Sequence, residues 1–242
     1  MTRPIRYTPL KPYVWRVEAL MLEAINGNIR SPGAPAYRGC HAVPEGRAPE
    51  ELVADAMRLL YQRGLVSLRG GNASIYDPDT GLVYISPSGQ ARHTITPRDV
   101  AVIRLDGTVV RGRPSSEWRM HVEIYRRIPG ARAVAHAHPP AAVAAALAGV
   151  GLEVSSLVEA SYSLGDCGVV PVAPWRPPGT WELARAVAGA LESSGCRGAV
   201  MERHGAVAYG ESMYHAVDAL EAIEDLARLE VYRRILTYPR PL

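Results

Sequence analysis

The stretch Ala133-Val134-Ala135-His136-Ala137-His138-Pro139-Pro140-Ala141-Ala142-Val143-Ala144-Ala145-Ala146-Leu147-Ala148 decides how the chain is read. Residues 133–137 form a short, mostly apolar run of the length of a buried strand. An Ala-rich helix, 139–148, follows at once, with proline at its start, where the missing N–H costs nothing. Strand-then-helix recurs along the chain. Upstream, residues 50–62 have a helical period, with Leu52, Val53, Ala56, Leu59 and Leu60 on one face and Gly64 as the stop. Strands are expected at 73–76, 82–85, 100–105 and 108–110, the last two joined by the hairpin dipeptide Asp106-Gly107. A helix at 116–127 precedes the opening stretch. Downstream come a strand at 169–172, a helix at 180–193 capped by Thr180, strands at 198–201 and 206–209, and one long helix at 212–236. The class is α/β.

The first 48 residues differ from the rest. A short amphipathic helix, 14–25, leads into a loop rich in Gly, Pro and Arg over 26–46. We therefore divide the chain into an N-terminal extension, 1–48, and a single domain, 49–242. With 242 residues, 48% hydrophobic and 21% charged, the chain can bury a proper core and is not disordered throughout. No apolar run approaches the roughly 20 residues of a membrane span, and the first ten residues carry no apolar signal-peptide core.

Of the 27 basic residues, Lys11 is the one lysine, so 26 are arginine. Schiff-base catalysis needs a lysine amine in a pocket, and Lys11 lies in a Pro-rich N-terminal segment. A P-loop needs Gly-Lys-Ser/Thr, and the chain has none. The net charge of +3 is not clustered, so no nucleic acid partner is expected. Three cysteines, Cys40, Cys167 and Cys196, are far apart and fit neither a zinc finger nor an obvious disulfide framework. A reducing cytoplasm is the expected location.

The chemistry centres on histidines. In a strand, residues i and i+2 point the same way, so His136 and His138 could reach one metal ion. Two surface histidines at a strand end are the other reading. His204 also lies at a strand end or turn, beside Gly205, which permits close backbone approach. Three histidines and one open position make a catalytic zinc pattern. Glu117 follows Ser115-Ser116 at a helix start; it is either a dipole-favoured surface acid or a general acid/base beside the metal. His121, one turn on, fits an orienting or packing role better than a ligand. Gly70-Gly71-Asn72-Ala73-Ser74 and Ser86-Pro87-Ser88-Gly89 read as plain turns, or, with Ser115 and Ser116, as a lysine-free phosphate pocket.

In order, Gly71-Asn72-Ala73-Ser74, Ser86-Pro87-Ser88-Gly89, Ser115-Ser116-Glu117-Trp118-Arg119-Met120-His121, Val134-Ala135-His136-Ala137-His138 and Arg203-His204-Gly205 resemble the class II aldolase/adducin family. The resemblance spans about residues 49–235. It implies a central, mostly antiparallel β-sheet flanked by helices. It implies zinc on His136, His138 and His204, with manganese or cobalt as alternatives. Glu117 would bind the resting metal and serve as acid/base, and Asn72, Ser88, Gly89, Ser115 and Ser116 would hold a substrate phosphate. The implied reaction is retro-aldol cleavage of a ketose 1-phosphate to dihydroxyacetone phosphate and an aldehyde through a metal-stabilised enediolate. The implied assembly is a homotetramer with active sites between subunits.

Family aldolases also use a tyrosine of the neighbouring subunit; Tyr162 and Tyr238 are the candidates here. Family 4-epimerases typically carry Asp at the Glu117 position and another Asp near Ser161, and this chain has neither. A methylthioribulose-1-phosphate dehydratase keeps a Glu and stays open. Adducin-like interaction modules lose the metal histidines, and this chain keeps all three.

Overall fold

A computed structural model describes residues 46–237. The expected helix at 14–25, most of the loop at 26–46, and Tyr238 lie outside the described residues. The domain opens with α1 (Pro49–Gln62), whose buried Val53, Met57 and Leu60 form one face. Four strands follow: β1 (Asn72–Asp77), β2 (Leu82–Ile85), β3 (Ala101–Arg104) and β4 (Val109–Arg111). Then come α2 (Trp118–Arg127), β5 (Ala133–Ala137), α3 (Pro140–Leu147), α4 (Val158–Leu164), β6 (Val172–Ala173), α5 (Trp181–Ser194), β7 (Gly198–Met201), β8 (Gly205–Gly210) and α6 (Met213–Thr237).

The strands form one sheet of eight in the order β4-β3-β2-β1-β5-β8-β7-β6. Neighbours are antiparallel except β6 and β7, which are parallel. The mostly antiparallel α/β sheet matches the expected class. Expected turn and cap chemistry is present. Gly107 adopts φ +90° in the β3–β4 turn, and the Leu183 N–H donates to Thr180 Oγ1 at 3.2 Å.

Period-two alternation sorts the strand residues between two layers. Ala73, Ala133, Ala135, Ala137, Ala206 and Ala208 face one core with α1, α3, α4 and α6. Val134 and Val207 face the other, with Met120 and Ile124 of α2 and Leu183, Val187 and Leu191 of α5. Every residue of β5 is buried, because helices cover both faces of the sheet at this strand. Small alanines on the first face let the long α6 lie close.

Three expectations need correction. The strand expected at 169–172 is the two-residue β6, Val172–Ala173; Val169 instead makes an isolated bridge with Glu153. The helix α4 was not foreseen, because seven residues hold under two turns of helical period. Cys167 and Cys196 are joined as a disulfide, with Cα atoms 5.1 Å apart. Their 29-residue separation hid this, but folding brings the loop after α4 beside the α5–β7 joint, where the Arg197 N–H donates to the Leu164 carbonyl at 3.0 Å. The inference from unpaired cysteines to a reducing compartment therefore falls. Among the described residues, no helix is long and apolar enough to cross a membrane.

Candidate active site

Sheet register builds the site. Asn72 of β1 lies directly opposite His136 of β5, and Val207 of β8 lies opposite His136 on the other side. Asn72, Ser74 and His136 therefore share the face toward α2. His138 follows β5, its backbone N–H bonded to the Leu65 carbonyl at 2.9 Å. Its Nε2 lies 3.0 Å from Nε2 of His136.

His204 stands in the tight turn between β7 and β8. Arg203 before it is in the left-handed region at φ 61°. Gly205 after it has no room for a side chain. A Cβ there would fall 2.2 Å from the Ala137 carbonyl oxygen and 3.0 Å from the rings of His136 and His138. That close approach brings His204 to the other two. One nitrogen from each of His136, His138 and His204 lies within 4.8 Å of the others.

His136 is fully buried, and its Nδ1–H donates to the Ala206 carbonyl at 2.9 Å. This fixes the ring and leaves Nε2 facing the cluster, the usual orientation for a metal-binding imidazole. Glu117 stands at the N-terminal boundary of α2, and its side chain reaches the histidines instead of capping the helix. Its Oε2 is 3.1 Å from His136 Nε2, and its Oε1 is 3.5 Å from His204 Nε2. Glu117 Oε1 is buried and has no hydrogen-bond partner. An unsatisfied buried carboxylate oxygen beside three imidazole nitrogens is costly on its own, and a divalent cation at that point would satisfy it. The donor set fits a catalytic transition-metal site.

The electrostatics separate the three imidazoles: burial lowers His136, but the Glu117 carboxylate and the Ala206 carbonyl outweigh it and raise its pKa. Burial favours a neutral Glu117, but His136, His204 and the Asn72 amide outweigh it and hold the carboxyl well below the usual range. His138 is pushed down to about 4 by burial and by its two histidine neighbours. His204 is also lowered, by burial and then by His136. Both are thus neutral and able to ligate near pH 7.

A buried polar chain supports Glu117. The Asn72 side-chain amide donates to Glu117 Oε2 at 3.1 Å, and its carbonyl oxygen bonds His121 Nε2. His121 Nδ1 is 2.7 Å from Ser74 Oγ, which is 2.7 Å from the Tyr125 hydroxyl. With the Asn72 carbonyl accepting from Nε2–H, Nδ1 is left to accept from serine, so His121 is neutral with its proton on Nε2. Burial holds it there, taking its pKa down to about 3.

Residues 51–231 match the class II aldolase and adducin N-terminal domain family. The chain belongs to this family. It is 35% identical over 197 residues to a 5-deoxy-D-ribulose 1-phosphate aldolase of Bacillus thuringiensis serovar kurstaki, covering 80% of this chain and 88% of that one. It is 34% identical over 188 residues to an L-ribulose-5-phosphate 4-epimerase of Salmonella paratyphi B, covering 74% and 82%. Among solved structures, an L-fuculose-1-phosphate aldolase from Thermus thermophilus superposes with a TM-score of 0.71 at 31% identity, over 81% of this chain and all of that one. Like its relatives in the class II aldolase superfamily, the protein is a metal-dependent enzyme.

The loops expected to hold phosphate are tied together by main-chain bonds. Ser86 N–H donates to the Ala73 carbonyl at 2.9 Å, Ser115 N–H to the Ser86 carbonyl at 3.1 Å, and Ser88 N–H to the Arg113 carbonyl at 3.1 Å. Asn72, Ser88, Gly89, Ser115 and Ser116 thus lie in three adjacent segments beside Glu117. Asn72 and Ser115 are buried, Ser88 is half-buried, and Gly89 and Ser116 are exposed. Asn72 gives one amide N–H to Glu117 and its carbonyl oxygen to His121, which leaves its second N–H for a ligand. Tyr162 is exposed on α4, whose buried Ala160 and Leu164 join the core opposite the histidine face.

Two residues were missed in the sequence. Glu224 of α6 is buried and accepts the N–H groups of Ala141 and Ala142, each at 3.1 Å, at the start of α3 just past His138. Arg92 is buried against the two glycine-serine loops. In a chain with 26 arginines nothing marks one of them, and an acid in a long amphipathic helix reads as surface.

Proposed function

We propose that the protein is a zinc-dependent aldolase that cleaves a ketose 1-phosphate to dihydroxyacetone phosphate and an aldehyde. The observation that carries this is Glu117, whose carboxylate spans His136 and His204 with one oxygen lacking a hydrogen-bond partner. His136, His138 and His204 would hold the metal, with manganese or cobalt as alternatives to zinc. The metal, when bound, supplies a Lewis acid next to the substrate oxygens. That is the electron sink a Schiff-base lysine would otherwise provide, in a chain whose single lysine is Lys11.

Substrate entering the site displaces the Glu117 carboxylate from the histidines. As the C–C bond breaks, the hydroxyl on the leaving carbon gives up its proton and becomes the aldehyde carbonyl; the Glu117 carboxylate would take up that proton and deliver it to the carbon left behind. Asn72 and His121 hold the carboxylate in line for that transfer. Ser88, Gly89, Ser115 and Ser116, with Asn72, bind the phosphate through hydroxyl and amide donors. The 35% identity to a 5-deoxyribulose-1-phosphate aldolase and the likeness to L-fuculose-1-phosphate aldolases support this reading.

A sugar-phosphate 4-epimerase is the second reading, favoured by the 34% identity to such an enzyme. Glu in place of Asp at position 117 speaks for the aldolase. The reading also includes a homotetramer with sites at subunit interfaces, supported by large apolar side chains left exposed on α4 and α6, Val158 and Leu236 among them. The first 48 residues are an extension to the catalytic domain, 49–242.

The test is product analysis by NMR, with metal-loaded protein supplied with ketose 1-phosphates and with L-ribulose 5-phosphate. Dihydroxyacetone phosphate plus an aldehyde is the expected result. A C4 epimer would establish the second reading, and loss of water would establish a dehydratase.

A further inference from the structure

Arg92 is 3% exposed. Its Nε donates to the Gly70 carbonyl at 2.9 Å and its Nη1 to the Pro87 carbonyl at 2.9 Å. Its Nη2 donates to the carbonyls of Arg69 at 2.9 Å and Gly71 at 2.8 Å. All four acceptors are main-chain oxygens. No carboxylate among the described residues pairs with it, and burial alone acts on its charge, lowering its pKa. Arginine keeps its proton even so. A buried, uncompensated cation is expensive, and residues on a plain turn give no reason to keep one.

Its position supplies a reason. Gly71 immediately precedes Asn72, and Pro87 immediately precedes Ser88, so Arg92 joins the two loops expected to hold phosphate from their inner side. Carbonyl oxygens are the groups that would repel an anion there. Four of them are turned onto the guanidinium instead. The planar fork suits this, because several N–H donors diverge from one rigid group.

We propose that Arg92 is the positioning residue of the phosphate pocket: it clamps the 69–71 and 86–89 loops together and supplies the positive charge behind them that draws a phosphate dianion. This rests on the sugar-phosphate reading above. It also explains how the pocket binds phosphate with no lysine. The charge stands behind the loops, and the loops touch the ligand.

The test measures inorganic phosphate binding to the zinc-loaded protein by calorimetry, with zinc content and melting temperature as controls. Arg92→Gln keeps amide donors for the carbonyls and removes the charge. It should weaken phosphate at least tenfold and keep its zinc, whereas Arg92→Lys should stay within about threefold near pH 7. In Arg92→Lys the buried ammonium loses its proton at a lowered pH. Its phosphate affinity should then fall between about pH 8 and 10, while that of the wild type stays flat. Phosphate and the histidines have finished titrating in that range.

Arg92→Gln that binds phosphate like the wild type overturns the proposal. If Arg92→Gln does not fold, a flat Arg92→Lys profile at wild-type affinity overturns it equally. Wild-type protein that binds no phosphate would remove the pocket itself and Arg92's role with it. Wild-type protein that binds phosphate yet cleaves no ketose phosphate would refute the aldolase reading and leave Arg92 standing.

Discussion

Asn72 and His136 are direct cross-strand partners in the β1–β5 pair, and both reach the same atom, Oε2 of Glu117, each at 3.1 Å. One side chain is an amide held by His121, and the other is an imidazole held by the Ala206 carbonyl. The carboxylate is therefore positioned from two strands of one sheet, and a helix N-terminus delivers it. Shifting the register by one residue would turn Asn72 to the opposite core.

Metal content should follow the three histidines. Wild-type protein should bind about one zinc per chain, and His138→Ala should bind far less, since three ligands plus an open position define such a site. Mass-spectrometric metal analysis of dialysed protein decides it. Full zinc in His138→Ala would remove that residue from the ligand set. A chelator should abolish activity, and added zinc should restore it.

Glu117→Gln should keep the metal and lose proton transfer. Exchange of the dihydroxyacetone phosphate carbon-bound proton with deuterated water should slow by about 10²–10⁴-fold, the usual range for losing a general acid/base. Wild-type exchange in a zinc-loaded variant would exclude Glu117 from the role.

Asn72→Ala should cost both stability and rate. It strips a hydrogen bond from Glu117 and leaves Nε2–H of the buried His121 without an acceptor, at roughly 1–3 kcal/mol for an orphaned buried group. Urea unfolding should show the loss. The rate should drop more steeply than the affinity for phosphorylated substrate, because the Glu117 carboxylate loses its alignment. An unchanged urea midpoint would mean that the buried chain carries no weight.

Acid sensitivity should trace to His121. Its folded-state pKa is held down to about 3 by burial first and by His136 second, against about 6.5 when unfolded. Between those values the unfolded chain binds the extra proton, so stability rises with pH there. The contribution is complete above about pH 6.5 and is lost as the pH falls toward 3. His121→Gln should have a lower urea midpoint at neutral pH and a flatter decline below it. Equal acid slopes in the two proteins would assign the effect elsewhere.

Glu224 should matter through the start of α3. Glu224→Gln removes a charge-assisted acceptor from the N–H groups of Ala141 and Ala142 and breaks the pair with Arg228. A loss of about 1.5–3 kcal/mol is expected from such bonds, together with weaker zinc retention at His138. A melting temperature and zinc affinity equal to the wild type would contradict the link.

Much of this was legible in the residues. Strands expected at 82–85, 133–137 and 198–201 coincide with β2, β5 and β7, because short apolar runs ended by Gly, Pro or charged residues carry their own boundaries. His136, His138, His204 and Glu117 were named from local spacing and motif, and folding brings all four together. Helix α4 and the true position of β6 were not legible. Seven and two residues hold too little period to stand out.

Sequence by itself determined the parts: which segments are strands, which are helices, and which side chains can bind metal or move a proton. These are local properties, set by periodicity over a few residues. Tertiary structure alone decided the partners. It placed Asn72 opposite His136, where one of its amide N–H groups braces Glu117. It joined Cys167 to Cys196 across 29 residues, and it buried Arg92 against four carbonyls of two separate loops. Such contacts join residues far apart in the chain. Register and packing fix them, and local sequence pattern does not encode either.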